Sequence, residues 1–394
     1  MGYVYPAGGR QGTSFPAAIS GRFLDGITNV IISGTGVTAT IVGYVKPLNG
    51  KELNLLRDRL KYLQQGNAQI GLPYNAYPGY IFYNKDVFAK ANLPALPTKV
   101  GEKYMGQNWD WDEVGRLAAQ LTLDNRGKNP TQAGFSRGDT IQYGLGFQWA
   151  DARRIASVFG GGSFVAPDGQ TAQIPAVWTE AFTWYYDSIW KGRSTATAAS
   201  ATACLLMLGT CPSPGDPAEG VAMAAAWSWA ISSYDRSGHP KFSGWDMAVM
   251  PSWKGQTSSP LDLDSFQLAA ASKNPALAFK VMSAILADST LSAALGGGMP
   301  ARTADQTAWF AAMDRQQAIA FPGNQVTWSV LQEMAKYPAM PSHEAYLPNS
   351  AKSKTDIDAF LAALQSKDKL DVAAELTKLK STLQADFDAV KPLE

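Results

Sequence analysis

Strand-like and helix-like stretches alternate along the whole of this 394-residue chain, and no linker separates them. That alternation restricts the chain to an α/β architecture, with helices laid against sheet. The length is enough for two domains and a large core. Two domains without a linker imply that the chain passes between them through its strands. No internal repeat is evident.

The segments follow from local pattern. Residues 16–46 read as a short helix, a strand, a glycine turn and a second extended piece. "LNLLRDRLKYLQQ" (53–65) places Leu53, Leu56, Leu60 and Leu63 on one helical face. "GLPYNAYPGYIFYNKDVF" (71–88) is strand-like and then turns toward helix. "NWDWDEVGRLAAQLT" (108–122) opens a helix with acidic residues in its first turn, where the helix dipole favours them. "DNRGKNP" (124–130) is a turn, and it lacks the spacing of a calcium loop. "AVWTEAFTWYYDSIW" (176–190) is an aromatic helix, and "GVAMAAAWSWAISSY" (220–234) reads as a strand running into a helix start. "GWDMAVMP" (244–251) and "DSFQLAAAS" (264–272) read as strands. Asn274 caps a helix with Pro275 at its first position. Leu376, Leu379, Leu383 and Phe387 mark an amphipathic C-terminal helix.

One glycine turn invites a specific alternative. "VIISGTGVTA" (30–39) has the outline G-x-G-x-x-A after an apolar run. A dinucleotide site needs a helix directly after the glycines, because the helix N-terminus holds the pyrophosphate. The following "VTATIVGYVKP" is β-branched, holds Gly43 and Pro47, and has no helical period. The turn instead places backbone N–H groups at a sheet edge.

Charge and motif content exclude further classes. Lys plus Arg total 34 and Asp plus Glu 33, which gives no electrostatic case for nucleic acid or an acidic membrane. No run of 18 apolar residues exists to span a bilayer. "MGYVYPAGGRQG" has neither the basic nor the apolar region of a signal peptide, and a sequence starting after a removed one would look the same. The two histidines, His239 and His343, offer little for metal or acid–base work, so no metal or cofactor is expected. No G-x-S-x-G, H-E-x-x-H or P-loop is present, so no catalytic residue is assigned. Paired carboxylates able to hydrolyse glycosides keep a glycosidase open as an alternative of another class. Cys204 and Cys211 flank "LLMLGT" before "CPSPGDP", as a local disulfide of an exported protein or as two free buried thiols.

"GLPYNAYPGYIFYNKDVFAKANLPALP", then "NWDWDEVGRLAAQLT", then "QYGLG" resemble, in that order, the extracellular solute-binding proteins of ABC importers. The nearest group is the carbohydrate-binding one that includes maltose-binding protein. "YNKDVF" is similar to that family's first crossover, and "VAMAAAWSWA" to the strand and turn that put a Trp on the sugar. "WDMAVMPSWKG" and "FQLAAASKNPALAFKVMSAIL" resemble the return crossover and the helix after it, and "GGGMPAR" a loop before a Pro-Ala pair. The resemblance covers roughly residues 15–390. It departs at the start: relatives carry about forty residues of strand and helix before the segment that here begins "GYVYPAG". The usual Pro-Asp is replaced near Ile27-Thr28. On this reading the first strand and helix are lacking, and a partner chain is one way to fill the gap.

The resemblance implies a two-lobed α/β fold of the periplasmic-binding-protein kind, each lobe a sheet flanked by helices, with hinge crossovers between them. The first lobe is 1–85 plus 253–312 and the second 86–252 plus 313–394. It implies a substrate-binding component that captures a sugar or oligosaccharide in the cleft, closes, and delivers it to a membrane permease. The protein would be periplasmic or extracellular, membrane-associated, and monomeric unless the missing segment is compensated. A polyol phosphate is the alternative solute. The family's export favours the Cys204–Cys211 bridge.

Sugars present flat C–H faces and rings of hydroxyls, so aromatic faces and polar groups together mark a site. Trp227 and Trp229 lie two apart, sharing a face if both are in a strand; by resemblance Trp227 is the stacking platform, and two core tryptophans is the plainer reading. Trp149 falls near a ligand-lining turn. Tyr74, Asn75, Tyr77 and Tyr80 cluster with Pro73 and Pro78, where irregular backbone would line a cleft. Tyr346 falls near a stacking position, and Gly34, Thr35 and Gly36 are carried over from the turn after a strand. Asp262 and Asp264 sit at a sheet edge and would bind hydroxyls or serve as caps. Met299 and Arg302 flank Pro300, where an arginine is more often a surface residue.

Overall fold

The computed structural model describes residues 71–148, 151–197, 220–233, 244–269, 271–288 and 298–390, together with four short strands before them. The chain divides into two units, Met1–Leu53 and Asn54–Glu394. In the first, β1 (Tyr3–Tyr5) pairs antiparallel with β2 (Ala18–Ser20). The rest of that unit lies outside the described residues, including the glycine turn at Gly34–Gly36.

The second unit starts with the two-residue strands β3 (Gln64–Gln65) and β4 (Ala68–Gln69), paired with each other. The end of the helix expected over 53–65 is therefore strand, and the remainder is outside the described residues. Next comes β5 (Leu72–Asn84), thirteen residues long and the centre of the fold. Its two prolines leave it a strand, but the irregularity expected there is present in part: the register against its partner shifts between Asn75 and Pro73, so that Tyr74 has no opposite number.

Those partners change part-way along. From Leu72 to Pro78, β5 pairs antiparallel with β14 (Leu261–Phe266), and Ala76 and Asn75 pair with β15 (Met299–Pro300). From Gly79 to Asn84 it pairs with β10 (Gly220–Trp227) and β11 (Trp245–Ala248). Strand β10 pairs parallel with β9 (Thr140–Phe147), and β8 (Leu123–Asp124) closes that edge antiparallel. Among these pairings only β9·β10 is parallel. Two-residue hairpins complete the strands: β6 (Lys103–Tyr104) with β7 (Gln107–Asn108), and β12 (Ser252–Trp253) with β13 (Gln256–Thr257).

Helices cover the sheet as the sequence pattern requires. Asn84 ends β5 and caps α1 (Lys85–Lys90), its side chain accepting from the N–H groups of Asp86 and Val87. Helix α2 (Trp111–Leu121) is capped by Asp110 and buries Val114, Leu117, Ala118 and Leu121, spaced three or four apart. It lies so close to β9 that a Cβ on Gly144 would run into the Ala118 carbonyl. Helix α3 (Ala152–Ser157) is capped by Asp151, and α4 (Ala176–Trp190) buries Trp178, Phe182, Tyr185 and Ile189. Helix α5 (Pro275–Ala287) starts with proline, but Asn274 makes no side-chain cap bond. Helices α6 (Thr303–Ala320), α7 (Ser329–Met334), α8 (Ser350–Ser366) and α9 (Val372–Asp388) follow. All four residues marking the amphipathic face of α9 are buried. The strand expected over 264–272 stops at Phe266. No helix among the described residues is long and apolar enough to cross a membrane.

Three separate segments meet where β5 changes partners. The Gly79 N–H donates to the Pro260 carbonyl at 2.8 Å, and the Ser259 hydroxyl donates to the Gly79 carbonyl at 2.9 Å. Ser259 in turn donates its N–H to Tyr337 at 2.9 Å and accepts from Ala339 at 2.7 Å.

Candidate functional site

Beside that junction, polar and aromatic side chains from four elements collect on one face. Asp262 and Asp264 alternate along β14, so both project to the same side. Opposite them on β5 stand Tyr77 and Asn75, directly in register. The Tyr77 hydroxyl donates to Asp264 at 2.7 Å, and Asn75 Nδ2 reaches the Tyr77 oxygen at 3.4 Å. Burial and that hydrogen bond hold the Tyr77 phenol far above its usual range. Tyr74 also borders Asp264 and is raised, by burial first and then by the carboxylate; its ring lies 4.8 Å from Phe266.

Asp262 carries the second half of the face. Arg154 Nη2 pairs with Asp262 Oδ2 at 3.1 Å, and Arg154 Nε donates to His343 Nε2 at 3.1 Å. His343 Nε2 stands 3.2 Å from Asp262 Oδ1. The guanidinium also lies over two indoles, 5.7 Å from the Trp227 ring centroid and 5.8 Å from that of Trp229. The Trp229 side chain hydrogen-bonds Asp262 as well. Burial pushes the Asp262 carboxyl up to about 6, outweighing Arg154, which pulls it down, while nearby Glu344 adds to the rise. Ligand atoms of Asp262, His343 and Glu344 lie within 4.8 Å of one another, a spacing a metal ion could use. In this arrangement the Arg154 guanidinium engages two of the three, and its positive charge opposes a cation there.

The carboxyl ends of the parallel pair β9 and β10 complete the corner. Gln148 follows β9, and its Oε1 accepts the Trp227 backbone N–H at 3.2 Å. Gln148 Nε2, Trp227 Nε1 and the Ser228 hydroxyl are buried and have no hydrogen-bond partner among the described residues. Buried donors left unpaired cost stability and call for an explanation. The carboxyl ends of parallel strands are where α/β proteins bind ligands.

The structure sorts the expected residues. It brings Trp227, Trp229, Tyr74, Asn75, Tyr77 and Asp264 to this face or its border. Trp227 and Trp229 do not share a strand: Trp227 ends β10, and Trp229 sits in the 3-10 helix Ser228–Ser233. Trp227 is 1% exposed, whereas Trp229 is only partly buried. Tyr80 is fully buried in the core. Met299 is buried and pairs with Ala76, whereas Arg302 is exposed, donating to the Leu286 carbonyl and pairing with Asp305. Tyr346 is partly buried, close in sequence to His343 and to Ala345, whose carbonyl accepts from Arg153. Trp149, Gly34, Thr35, Gly36, Cys204 and Cys211 lie outside the described residues.

Sequence reasoning missed Arg154 and gave His343 no role. No local signal marks the former: Arg154 falls in the last turn of the six-residue α3, where a cation is ordinary.

A model of the bacterial extracellular solute-binding protein family matches residues 20–290. Among solved structures, UspC of M. tuberculosis superposes with a TM-score of 0.62 at 18% identity, over 82% of this chain and 77% of that one. A sugar transporter from Rhizobium etli in an open conformation gives 0.56 at 16%, over 86% and 77%. The maltose/maltodextrin-binding domain MalE from Bdellovibrio bacteriovorus, bound to maltotriose, gives 0.52 at 13%, over 84% and 76%. At such identities the likeness carries the fold alone. No curated protein sequence matches the chain.

Proposed function

We propose, from the premise that this chain belongs to the bacterial extracellular solute-binding protein family, that it captures a sugar or oligosaccharide outside the cell membrane. It then delivers the solute to the permease of an ABC importer. The observation that carries this reading is the corner at the carboxyl ends of β9 and β10. There, buried unpaired donors on Trp227 and Gln148 adjoin a second indole and the carboxylates of Asp262 and Asp264. Indole faces suit the C–H faces of a sugar ring, and carboxylates and amide groups suit its hydroxyls. The maltotriose named with one neighbouring structure, and the description of another as a sugar transporter, agree with this choice.

On the same reading the lobes are 1–85 plus 253–312 and 86–252 plus 313–394. The partner change of β5 between Pro78 and Gly79, with Ser259 and Tyr337 bonded into the same junction, supports a hinge there, which places the first crossover a few residues before 85. Closure is then stabilised by as much as the solute prefers the closed arrangement. A Cys204–Cys211 bridge and membrane association belong to this reading too.

A thermal-shift screen across mono- and oligosaccharides tests it. A sugar at a hundred times its dissociation constant adds about 2.7 kcal/mol of stability, a readily visible shift. A screen in which no sugar raises the melting temperature counts against the reading. Recovering each sugar intact after incubation separates a binder from a glycosidase.

A further inference from the structure

We propose that Arg154 is a resident occupant of the solute site: its guanidinium holds the place between the two indoles and Asp262, and a solute enters by displacing it. The inference rests on the reading that this face is where the solute binds.

The geometry is specific. A planar cation lies over Trp227 and Trp229, at 5.7 and 5.8 Å, with one edge on Asp262 and another on His343. The side chain is only 16% exposed, so it fills the space rather than hanging beside it. Ring face, hydrogen-bond donors and a carboxylate acceptor are what a pyranose would meet there, and Arg154 already meets them. While it stays, a solute cannot stack on the covered faces. When it leaves, Asp262 loses its ion pair and needs replacement donors, which sugar hydroxyls provide.

This exchange also selects by charge. Around the place that Arg154 vacates, the charged groups on this face are the carboxylates of Asp262, Asp264 and Glu344. A phosphate or carboxylate taking the place of Arg154 would face carboxylates and offer no donors to them. The class of solute that fits is neutral and rich in hydroxyls, and a polyol phosphate is disfavoured.

The test compares the full chain with two variants, Arg154→Ala and Arg154→Ala/Asp262→Asn. The second avoids leaving an unpaired buried carboxylate, should the first fail to fold. Acrylamide quenching of tryptophan fluorescence reads the exposure of the indoles without any solute. The quenching constant is expected to rise in the variants, and the rise to shrink when Trp229→Phe is added, leaving the share of Trp227. Maltotriose and glycerol 3-phosphate serve as solute probes by calorimetry. Maltotriose is expected to bind the double variant about tenfold more tightly than the parent, a difference of about 1.4 kcal/mol. Glycerol 3-phosphate is expected to bind neither. Unchanged quenching, or maltotriose binding the parent more tightly than the double variant, overturns the displacement. A rise in quenching with no sugar bound by any form keeps Arg154 as occupant and removes the sugar-capture reading instead.

Discussion

The indole of Trp227 lies flat enough against Gly79 that a Cβ built on the glycine would meet its Cε3 and Cζ3 at 3.0 Å. One residue ends the strand that carries the candidate corner, and the other is the first of β5 to pair with that strand. The same Cβ would also touch Met250 Cε at 3.0 Å. A methionine end can swing away, but a tryptophan held at 1% exposure cannot. Gly79→Ala is therefore expected to cost about 1–3 kcal/mol by overpacking, read from urea denaturation. A variant as stable as the parent would show that the junction yields.

The two tryptophans are expected to separate stability from binding. Trp227 is buried in the core cluster, so Trp227→Ala is expected to lose about 3–5 kcal/mol of stability. Trp229 is only partly buried, and Trp229→Ala should keep the fold and weaken sugar binding by about 1–3 kcal/mol. Denaturation and calorimetry on both variants decide this. Equal stability losses, with binding intact in Trp229→Ala, would make Trp229 a core residue as well.

What could be read from sequence was what repeats. Strand β5, the acidic first turn of α2 and the buried stripe of α9 follow from period and from terminal residues, and they stand where expected, whereas Asn274, the cap named from sequence, makes no side-chain bond. The site was legible in its aromatic residues and in Asn75, Asp262 and Asp264, but not in Arg154 and His343. Trp227 and Trp229 drew attention as W-S-W, but the backbone turns from strand to 3-10 helix between them, and no period reveals that. Arg154, Asp262 and His343 lie 81 or more positions apart in the chain, and only the packing of α3 against β14 and the 343 loop joins them. A single sequence holds no record of such pairings.

Gly144 carries a constraint that the stretch "QYGLG" does not explain by itself. It lies in β9, directly under α2, and a Cβ there would overlap the backbone of Ala118, carbonyl included. Backbone cannot move aside as a flexible side chain can. The close approach is held by a buried bond from the Gly144 N–H to the Thr122 hydroxyl at 2.8 Å. Gly144→Ala is expected to push helix from strand and cost about 3 kcal/mol, the upper end of ordinary overpacking. Circular dichroism melting measures it, and a loss below about 0.5 kcal/mol, the scale of a surface change, would contradict the close packing.

The last expectation concerns pH and the Asp262 carboxyl. Its pKa rises from 3.8 to about 6, chiefly because burial disfavours the charged form. The groups facing it are Arg154 from α3, His343 and Glu344 from the loop, and Trp229 from the 3-10 helix. A folded state that holds a proton more tightly than the unfolded chain is favoured by acid. The contribution of Asp262 is thus fully present below 3.8 and lost as pH rises through about 6. Geometry agrees with the sign: among the described residues no hydrogen bond reaches the buried Asp262 Oδ1, and the ring nitrogen 3.2 Å from it already accepts from Arg154, so nothing there solvates the ionised oxygen. At about 1.4 kcal/mol for each pKa unit, the full swing is about 3 kcal/mol at most. Asp262→Asn removes the titration and leaves other groups to change equally in both proteins. The stability of the parent relative to Asp262→Asn should therefore fall between pH 4 and pH 7, measured by urea denaturation at each pH. A difference that stays level across that range would mean that Asp262 is ionised as readily in the folded protein as in water.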